Sequence, residues 1–396
     1  MRICIVNHKF VKGEGQGRVN YEVASEALKQ GHKVICIASE VDPHLLGTPN
    51  MTWIKVCPSP KLYVLLRHQI FAFQSADHIR RLRNSGQVDV VIVNGFITWA
   101  KADITAVHFV HSTWIKSPVH GFRTHPTWRR WYLGFYSVVN SYLERRAFRK
   151  SKKIVAVSEK VKSELTQLGN TPDKIDVINN GVDIFEFYPT EHKSKLQLDK
   201  KKVVGLFAGG IADPRKNLET VLRAMESVQG FSLVVAGSTY KSIYPQMAID
   251  LKIEDRVHFL GYRNDMDHIM RNVDLFVFPS RYEACSLVVL EALASGIPVI
   301  ITEESGVTEM ISAINEEHQP GFIMQSPDDV EGLSNILTRL VQAPDELKRM
   351  GEIARKVALN NTWTNMSQKY LHYCEELINE DGRLGRERNV GSSVEV

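Results

Sequence analysis

Two carboxylates eight positions apart, Glu283 and Glu291, stand in SRYEACSLVVLEALASGIPVI (280–300), a stretch otherwise mostly apolar or small. Carboxylates accept hydrogen bonds from hydroxyls, pair with cations or move protons. The segment SLVVLEALASG has the pattern of a helix stopped by Gly296, and SRYEAC is the loop before it. At about 100° per residue, Glu291 falls between Leu287 on one side and Ser295 and Val288 on the other. A helix apolar almost all round is a buried helix, so Glu291 is expected inside, where an unmet carboxylate costs several kcal/mol. Glu283 is expected at the mouth of a crevice. The plainer reading pairs Glu291 with a basic neighbour and leaves Glu283 in solvent.

Cations occupy a comparable place in FAGGIADPRKNLETVLRA (207–224), where Arg215 and Lys216 sit just before a helix start and could fold back onto phosphate oxygens. Taken alone, the pair reads more readily as solvated cations on a surface turn. In HKFVKGEGQGRVNYE (8–22), Gly13, Gly15 and Gly17 permit tight backbone turns. The helix expected to begin near Arg18 aims its free N–H groups at that loop, a site for an anion. A dinucleotide fingerprint needs G-x-G-x-x-G; the chain has G-x-G-x-G, although Glu40 and Asp42 do follow KVICIAS.

These loops need a scaffold. RICIVN (2–7), a helix over 19–31 and KVICIA (33–38) form a βαβ unit. Strand-like runs recur at 88–94, 104–110, 152–158 and 174–179, with helical stretches at 69–84, 126–149 and 159–168. The rhythm lapses over 179–202, a turn-rich and then charged stretch that reads as a linker, and restarts. Strands at 203–209, 231–237, 257–261, 273–280 and 297–302 alternate with helices at 217–228 and 286–295, and helices follow at 327–342 and about 345–379. The fold class is therefore α/β, two doubly wound Rossmann-like domains facing across a cleft. The expected boundaries are 1–182 for the first domain, 183–365 for the second, 366–380 for a C-terminal helix crossing back, and 381–396 for a mobile tail.

Composition supports this and excludes other classes. A chain of 396 residues exceeds what one core usually organises, and 43% apolar with 24% charged residues is ordinary for a globular protein. The five cysteines are scattered, without C-x-x-C spacing, so neither a disulfide framework nor a zinc site is indicated and a reducing cytoplasm is expected. MRICIVN lacks the regions of a signal peptide, and no apolar run is long enough to cross a bilayer. The net charge of +4 divides unevenly: residues 1–190 carry 26 Lys+Arg against 15 Asp+Glu (+11), and the remainder 23 against 30 (−7). A basic half attracts phosphate-bearing partners. Within it, residues 113–140 interleave Trp114, Phe122, Trp128, Trp131 and Tyr132 with Lys116, Arg123, Arg129 and Arg130. That mixture suits an anionic membrane interface, or a core helix with a solvated face.

The strand–loop–helix around Glu283 and Glu291 resembles the signature of the retaining, nucleotide-sugar-dependent glycosyltransferases of family 4, Glu, seven residues, Glu. The likeness extends to the opening G-x-G unit, to LERRAFRKSKKIVAVSEKVKSEL (143–165), to KIDVINNGVD (174–183) and to PRKN, and covers most of residues 1–365. It implies the GT-B fold and hexosyl transfer from a nucleoside diphosphate sugar, a UDP-sugar favoured, to a glycan or glycolipid hydroxyl. It further implies that Lys216 and Arg215 neutralise the diphosphate with the backbone at Ser286, Leu287 and Val288. Glu291 would accept the ribose hydroxyls, Glu283 would hold the donor sugar, and Gly15, Gln16 and Gly17 would close over the diphosphate. His111, in VHFVHST, matches the family's histidine facing donor sugar and acceptor, and Tyr262 sits where the base is held. The family is similar in using no metal, and no D-x-D cluster is placed here for one.

The chain departs from the family where an Arg is common before the lysine, having Gly210 and Ile211, and where E-x-F-G-L is frequent, having EACSL. The expected location is cytoplasmic, with peripheral attachment to the inner face of the membrane. The alternative is a nucleotide-sugar epimerase of the same build. Nucleic-acid binding lacks a reader motif, and a nicotinamide dehydrogenase is disfavoured by the loop pattern.

Overall fold

The computed structural model describes residues 1–124, 128–190, 202–312 and 319–391, with the side chains of 381 and 383–391 left aside. It divides into two units, Met1–Asn180 with Trp363–Val396, and Gly181–Thr362.

The first unit is built on a seven-stranded parallel sheet. From one edge its order is Met51–Lys55, Lys33–Ala38, Arg2–Val6, Val90–Asn94, Ile104–Val107, Lys153–Ala156, Ile175–Val177. Strands such as Val90–Asn94 and Ile104–Val107 are buried at every position, which is why they read as unbroken apolar runs. Met51–Lys55, missed in the sequence, is an edge strand of half-buried and exposed residues, so its apolar signal is diluted. The last helix, Trp363–Gly391, packs on Gly15–Lys29 and continues into the stretch expected to be a tail.

The second unit repeats the plan with six parallel strands in the order Val257–Gly261, Phe231–Ala236, Val203–Ala208, Leu275–Val277, Val299–Thr302, Gly321–Met324. The expected long helix at 345–379 is two helices, Pro344–Asn360 and Trp363–Gly391, and the break between them contains Thr362, the boundary of the unit. Val182 pairs with Thr362 in an isolated bridge, and its N–H donates to the Asn361 carbonyl at 3.0 Å. Of the linker stretch, Val182 and Phe187 pack into the core of this unit; 191–201 lies outside the described residues, as do 126–127 of the expected helix and 392–396 of the expected tail.

Both sheets reverse their winding once. In the first unit the switch falls between Arg2–Val6 and Val90–Asn94, in the second between Val203–Ala208 and Leu275–Val277. Loops leaving the carboxyl ends of such strand pairs spread apart and leave a crevice for ligands. In the second unit the neighbouring loop ends are packed backbone to backbone: a Cβ on Gly237 would stand 2.2 Å from the Gly209 carbonyl oxygen.

Replacing Gly237 with Ala should therefore destabilise this unit by about 1–3 kcal/mol, a fall of roughly 2–10 °C in its melting temperature. Scanning calorimetry of the full chain checks this, and an unchanged melting point would refute the close approach.

Candidate functional site

In the second unit the two loops at the switch point carry the charges. The chain leaves Val203–Ala208, turns through Gly209 to Lys216 and enters the helix Leu218–Met225; it leaves Leu275–Val277 and runs through Glu283 to the helix Leu287–Ala294. Lys216 Nζ meets Glu283 Oε1 at 2.5 Å, with 16% and 11% of the two side chains exposed. The ammonium also lies 5.1 Å from the centre of the Phe278 ring. A buried ion pair compensates much of the desolvation of each partner, and the aromatic face adds to the attraction for the cation.

The burial of the two glutamates is the reverse of the expectation. Glu283 is buried, 9% exposed, and Glu291 is half-buried. The reason is tertiary: Glu283 bridges to Ser305, its N–H donates to the Glu304 carbonyl, and its own carbonyl accepts from Gly306 N–H. The returning segment thus covers the loop. On the helix, Leu287, Val288 and Glu291 share one partly accessible side.

The helix Leu287–Ala294 begins after Ser286, which is buried and makes no side-chain cap bond. First-turn N–H groups have no partner inside a helix, and no acidic side chain stands in this first turn. These N–H groups are hydrogen-bond donors at the same switch point as the Lys216 ammonium, whose charge Glu283 balances. Arg215 stands beside Asp213 at 3.2 Å, so its charge is already shared within the loop. Tyr262 follows Gly261 and is 76% exposed.

Several positioning residues were not foreseen. Asn217, wholly buried and in the left-handed region at φ 62°, donates to the Pro279 carbonyl at 3.0 Å and to the Pro327 carbonyl at 2.6 Å. Its side chain ties the lysine loop to the glutamate loop. Arg281 adds a second tie, donating to the Pro214 carbonyl at 2.5 Å and to Asp328 at 2.6 Å. Asn217 was within reach of sequence reading as the last residue of PRKN; Asp328, over a hundred positions away, was not.

In the first unit, Gly15, Gln16 and Gly17 are not a free loop. The helix starts at Gly15, three residues before Arg18, so these residues form its first turn. Asn20 Nδ2 donates to the Gln16 carbonyl at 2.7 Å, and Asn94 Nδ2 donates to Asn20 Oδ1 at 2.9 Å, which fixes that turn to the neighbouring strand end. His111 opens a one-turn helix whose N–H groups, those of His111 and Ser112, donate to the buried carboxylate of Glu144 at 2.9 and 2.7 Å. Burial raises the Glu144 pKa, and these bonds partly offset it.

His8, His68, His108 and His111 line a cavity of about 190 Å³ that Gln16 and Tyr136 also border. Burial is the main cause lowering all four imidazoles, His8 to about 3 and His108 and His111 to about 4, and Arg67 adds to the effect on His8 and His68. Among the described residues no group of three or more His, Cys, Asp or Glu is placed to hold a metal ion.

Two doubly wound parallel-sheet units in one chain, each with its crevice at the switch point, define a two-domain α/β protein of the GT-B build. Residues 13–185 match the model described as Glycosyltransferase Family 4, and residues 189–357 match Glycosyl transferases group 1. The chain is a family 4-like glycosyltransferase of the GT-B fold. It is 30% identical over 201 residues to an uncharacterized glycosyltransferase of Methanocaldococcus jannaschii, covering 47% of this chain and 50% of that one. It is 27% identical over 238 residues to the UDP-Gal:alpha-D-GlcNAc-diphosphoundecaprenol alpha-1,3-galactosyltransferase of Escherichia coli, covering 56% and 58%. These matches span only about half the length of either relative. The structure of WaaG, a glycosyltransferase involved in lipopolysaccharide biosynthesis, superposes with a TM-score of 0.72 at 18% identity, covering 93% of this chain and 98% of that one. These likenesses favour transfer over epimerisation.

The lowered imidazoles have a measurable consequence. Unfolded histidines take a proton near pH 6.5, whereas His8, His108 and His111 resist it until about 3 to 4. Stability is therefore complete above pH 6.5 and falls as pH drops toward 4, by about 1.4 kcal/mol per pH unit for each ring kept neutral. Urea titrations at pH 7 and pH 5 should show this loss, and His108→Asn should reduce it by about a third; equal stability at both pH values would refute the buried neutral rings.

Proposed function

We propose that the chain transfers a hexosyl group, with retention of configuration, from a nucleoside diphosphate sugar to a hydroxyl of a glycolipid, polysaccharide or other glycan. A UDP-sugar is the favoured donor. The observation that carries this reading is the Lys216–Glu283 pair at the switch point, beside the start of the helix bearing Glu291. A diphosphate needs cations and N–H donors, and a sugar needs carboxylate acceptors; the second unit supplies both within two loops. The activity of the Escherichia coli relative, transfer from UDP-Gal to a diphosphoundecaprenol-linked sugar, supports the donor and the acceptor class.

In this reading Lys216 Nζ, Arg215 and the N–H groups at Ser286, Leu287 and Val288 hold the diphosphate and stabilise the charge that grows on it as the C1–O bond breaks. Glu283 accepts hydroxyls of the donor sugar, Glu291 those of the ribose, and the backbone at Tyr262 the base. The acceptor hydroxyl forms the new bond to C1 on the face the diphosphate leaves, and its proton passes to the departing phosphate oxygen. The charge is met without a metal ion.

The first unit also offers a surface for a lipid-linked acceptor. On the helix Trp128–Lys150, Trp128, Trp131, Phe135, Val138 and Tyr142 recur at helical spacing and are all exposed, between 56% and 74%. Arg130 lies over the rings of Phe122 and Trp131 at 4.9 and 5.5 Å. Aromatic side chains beside cations suit an anionic lipid surface. Among the described residues no helix is long and apolar enough to cross a membrane.

Lys216→Ala and Glu283→Ala should each lower kcat/KM at least about a hundredfold, the loss of about 2.7 kcal/mol of transition-state stabilisation, with melting temperatures checked for folding. Product anomers read by NMR should match the donor, and excess EDTA should leave the rate unchanged. Near-normal rates in both variants would remove the pair from the mechanism. Sedimentation with anionic vesicles at low salt should carry the protein down and Trp131→Glu should release it; failure to sediment would dispose of the membrane surface.

A further inference from the structure

A surface helix usually shows solvent its polar residues, and the helix Trp128–Lys150 does the opposite along most of its length. Between 132 and 149 its exposed positions are Phe135, Val138, Tyr142, Arg145 and Arg149, and Trp128 and Trp131 begin the same row. Steps of three and four keep these residues within an arc of about 100° around the helix. The apolar row thus ends in two arginines.

Those arginines border an open hollow of about 220 Å³, completed by Leu168, Gly169 and Asn170 of the turn after the helix Glu159–Gln167. Each guanidinium is tethered by one nitrogen: Arg145 Nε donates to Ser112 Oγ at 3.2 Å, and Arg149 Nε to the Arg145 carbonyl at 3.3 Å. Their four terminal nitrogens make no hydrogen bond or ion pair among the described residues. Helix ends attract cations, but here the carbonyls of Phe148 and Arg149 are already met by Lys174 Nζ at 2.6 and 3.2 Å. The carbonyls that end the facing helix, Glu164 to Thr166, accept the N–H groups of its own turn. Among the described residues that border the hollow there is no carboxylate. Glu144, on which Arg145 acts, is held by the N–H groups of His111 and Ser112. Two forked cations around an open space form a site for an anion, and their planar geometry matches phosphate oxygens.

We propose that this hollow takes the terminal phosphate of an anionic membrane lipid, with the apolar row lying in the interface beside it. The proposal rests on the membrane surface put forward above and adds the headgroup which that surface selects. A soluble phosphate would gain nothing from the row, whereas a lipid phosphate meets Arg145 and Arg149 at headgroup level while Trp131, Phe135 and Tyr142 reach the acyl boundary. A phosphomonoester brings three unesterified oxygens and up to two charges to the four nitrogens. A diester brings two such oxygens, one charge and a second arm to accommodate.

The test is sedimentation of the full chain with phosphatidylcholine vesicles that contain either phosphatidic acid or phosphatidylglycerol, adjusted to equal zeta potential. Phosphatidic acid vesicles should bind about tenfold more tightly. Arg145→Gln with Arg149→Gln should remove that preference. Arg129→Gln with Arg130→Gln, which takes two charges from the same helix outside the hollow, should weaken both kinds of binding alike and leave the preference intact. Arg149→Gln alone, whose one tie lies within its own helix, should reduce the preference and keeps the test decisive if loss of the Arg145–Ser112 bond unfolds the protein. Absence of binding to any vesicle would overturn the membrane surface and this site with it. Binding without preference, or a preference that survives in the Arg145→Gln, Arg149→Gln protein, would overturn the site alone. Calorimetry without vesicles that shows tight binding of inorganic phosphate, lost in Arg149→Gln, would make a free phosphate the occupant and overturn the lipid. A dimer in sedimentation velocity that Trp131→Glu dissociates would overturn it too, by giving the row to a second copy.

Discussion

One ion pair joins the two loops at the switch point of the second unit. Lys216 and Glu283 come from loops that leave neighbouring strands, and each would be costly in its enclosed position without the other. Their meeting requires both loops to be fixed to within a fraction of an ångström. Asn217 does this from the lysine side by donating to the Pro279 carbonyl, and Thr302 does it from the other side by donating to the Ser280 carbonyl at 2.6 Å. Arg355 reaches the far end of the same assembly, donating to the Ala294 carbonyl at the close of the helix that carries Glu291. A charged pair held at three points is a preorganised site, because little reorganisation is left to perform when a charged ligand arrives.

The first unit solves a different electrostatic problem. Its single carboxylate near the cavity, Glu144, is consumed by two backbone N–H groups at the start of the His111 helix. Its histidines are crowded against one another and kept uncharged by burial. Where the second unit holds charge in balance, the first removes it from the space it encloses. The basic excess of residues 1–190 therefore does not describe this cavity; part of it stands on the outer face of the helix Trp128–Lys150, where Arg129 and Arg130 are exposed.

The repeated strand pattern was legible because strands buried on both faces must be apolar at every position, and such runs stand out from any background. The edge strand Met51–Lys55 escaped because one face meets solvent. The start of the first helix was misjudged by three residues: Gly15 and Gly17 suggest a loop, yet Gly17 is buried against Val11, where a Cβ would lie 3.2 Å from its side chain and carbonyl. The glycines there serve close packing at a helix start. The exchange of burial between Glu283 and Glu291 has a similar origin. A helical wheel counts only neighbours on the same helix, and the segment that covers Glu283, residues 304–306, comes from the loop after the next strand. Site residues that lie in loops after strands could be named from sequence; their supports, such as Glu144 for His111, join positions 33 apart and needed the topology.

The two units differ in how completely their polar groups are already met. In the second, the two central charges are paired with each other, so any incoming anion has to compete with Glu283 for Lys216. Affinity is reduced by that competition, but selectivity gains, since only a ligand bringing comparable negative charge, and hydroxyls to occupy the released carboxylate, matches both partners at once. In the first, Asn94, His108 and His111 each keep a buried atom without a partner among the described residues, closed off from solvent. The wall of the neighbouring cavity holds no lysine or arginine, so a charge placed there would go uncompensated.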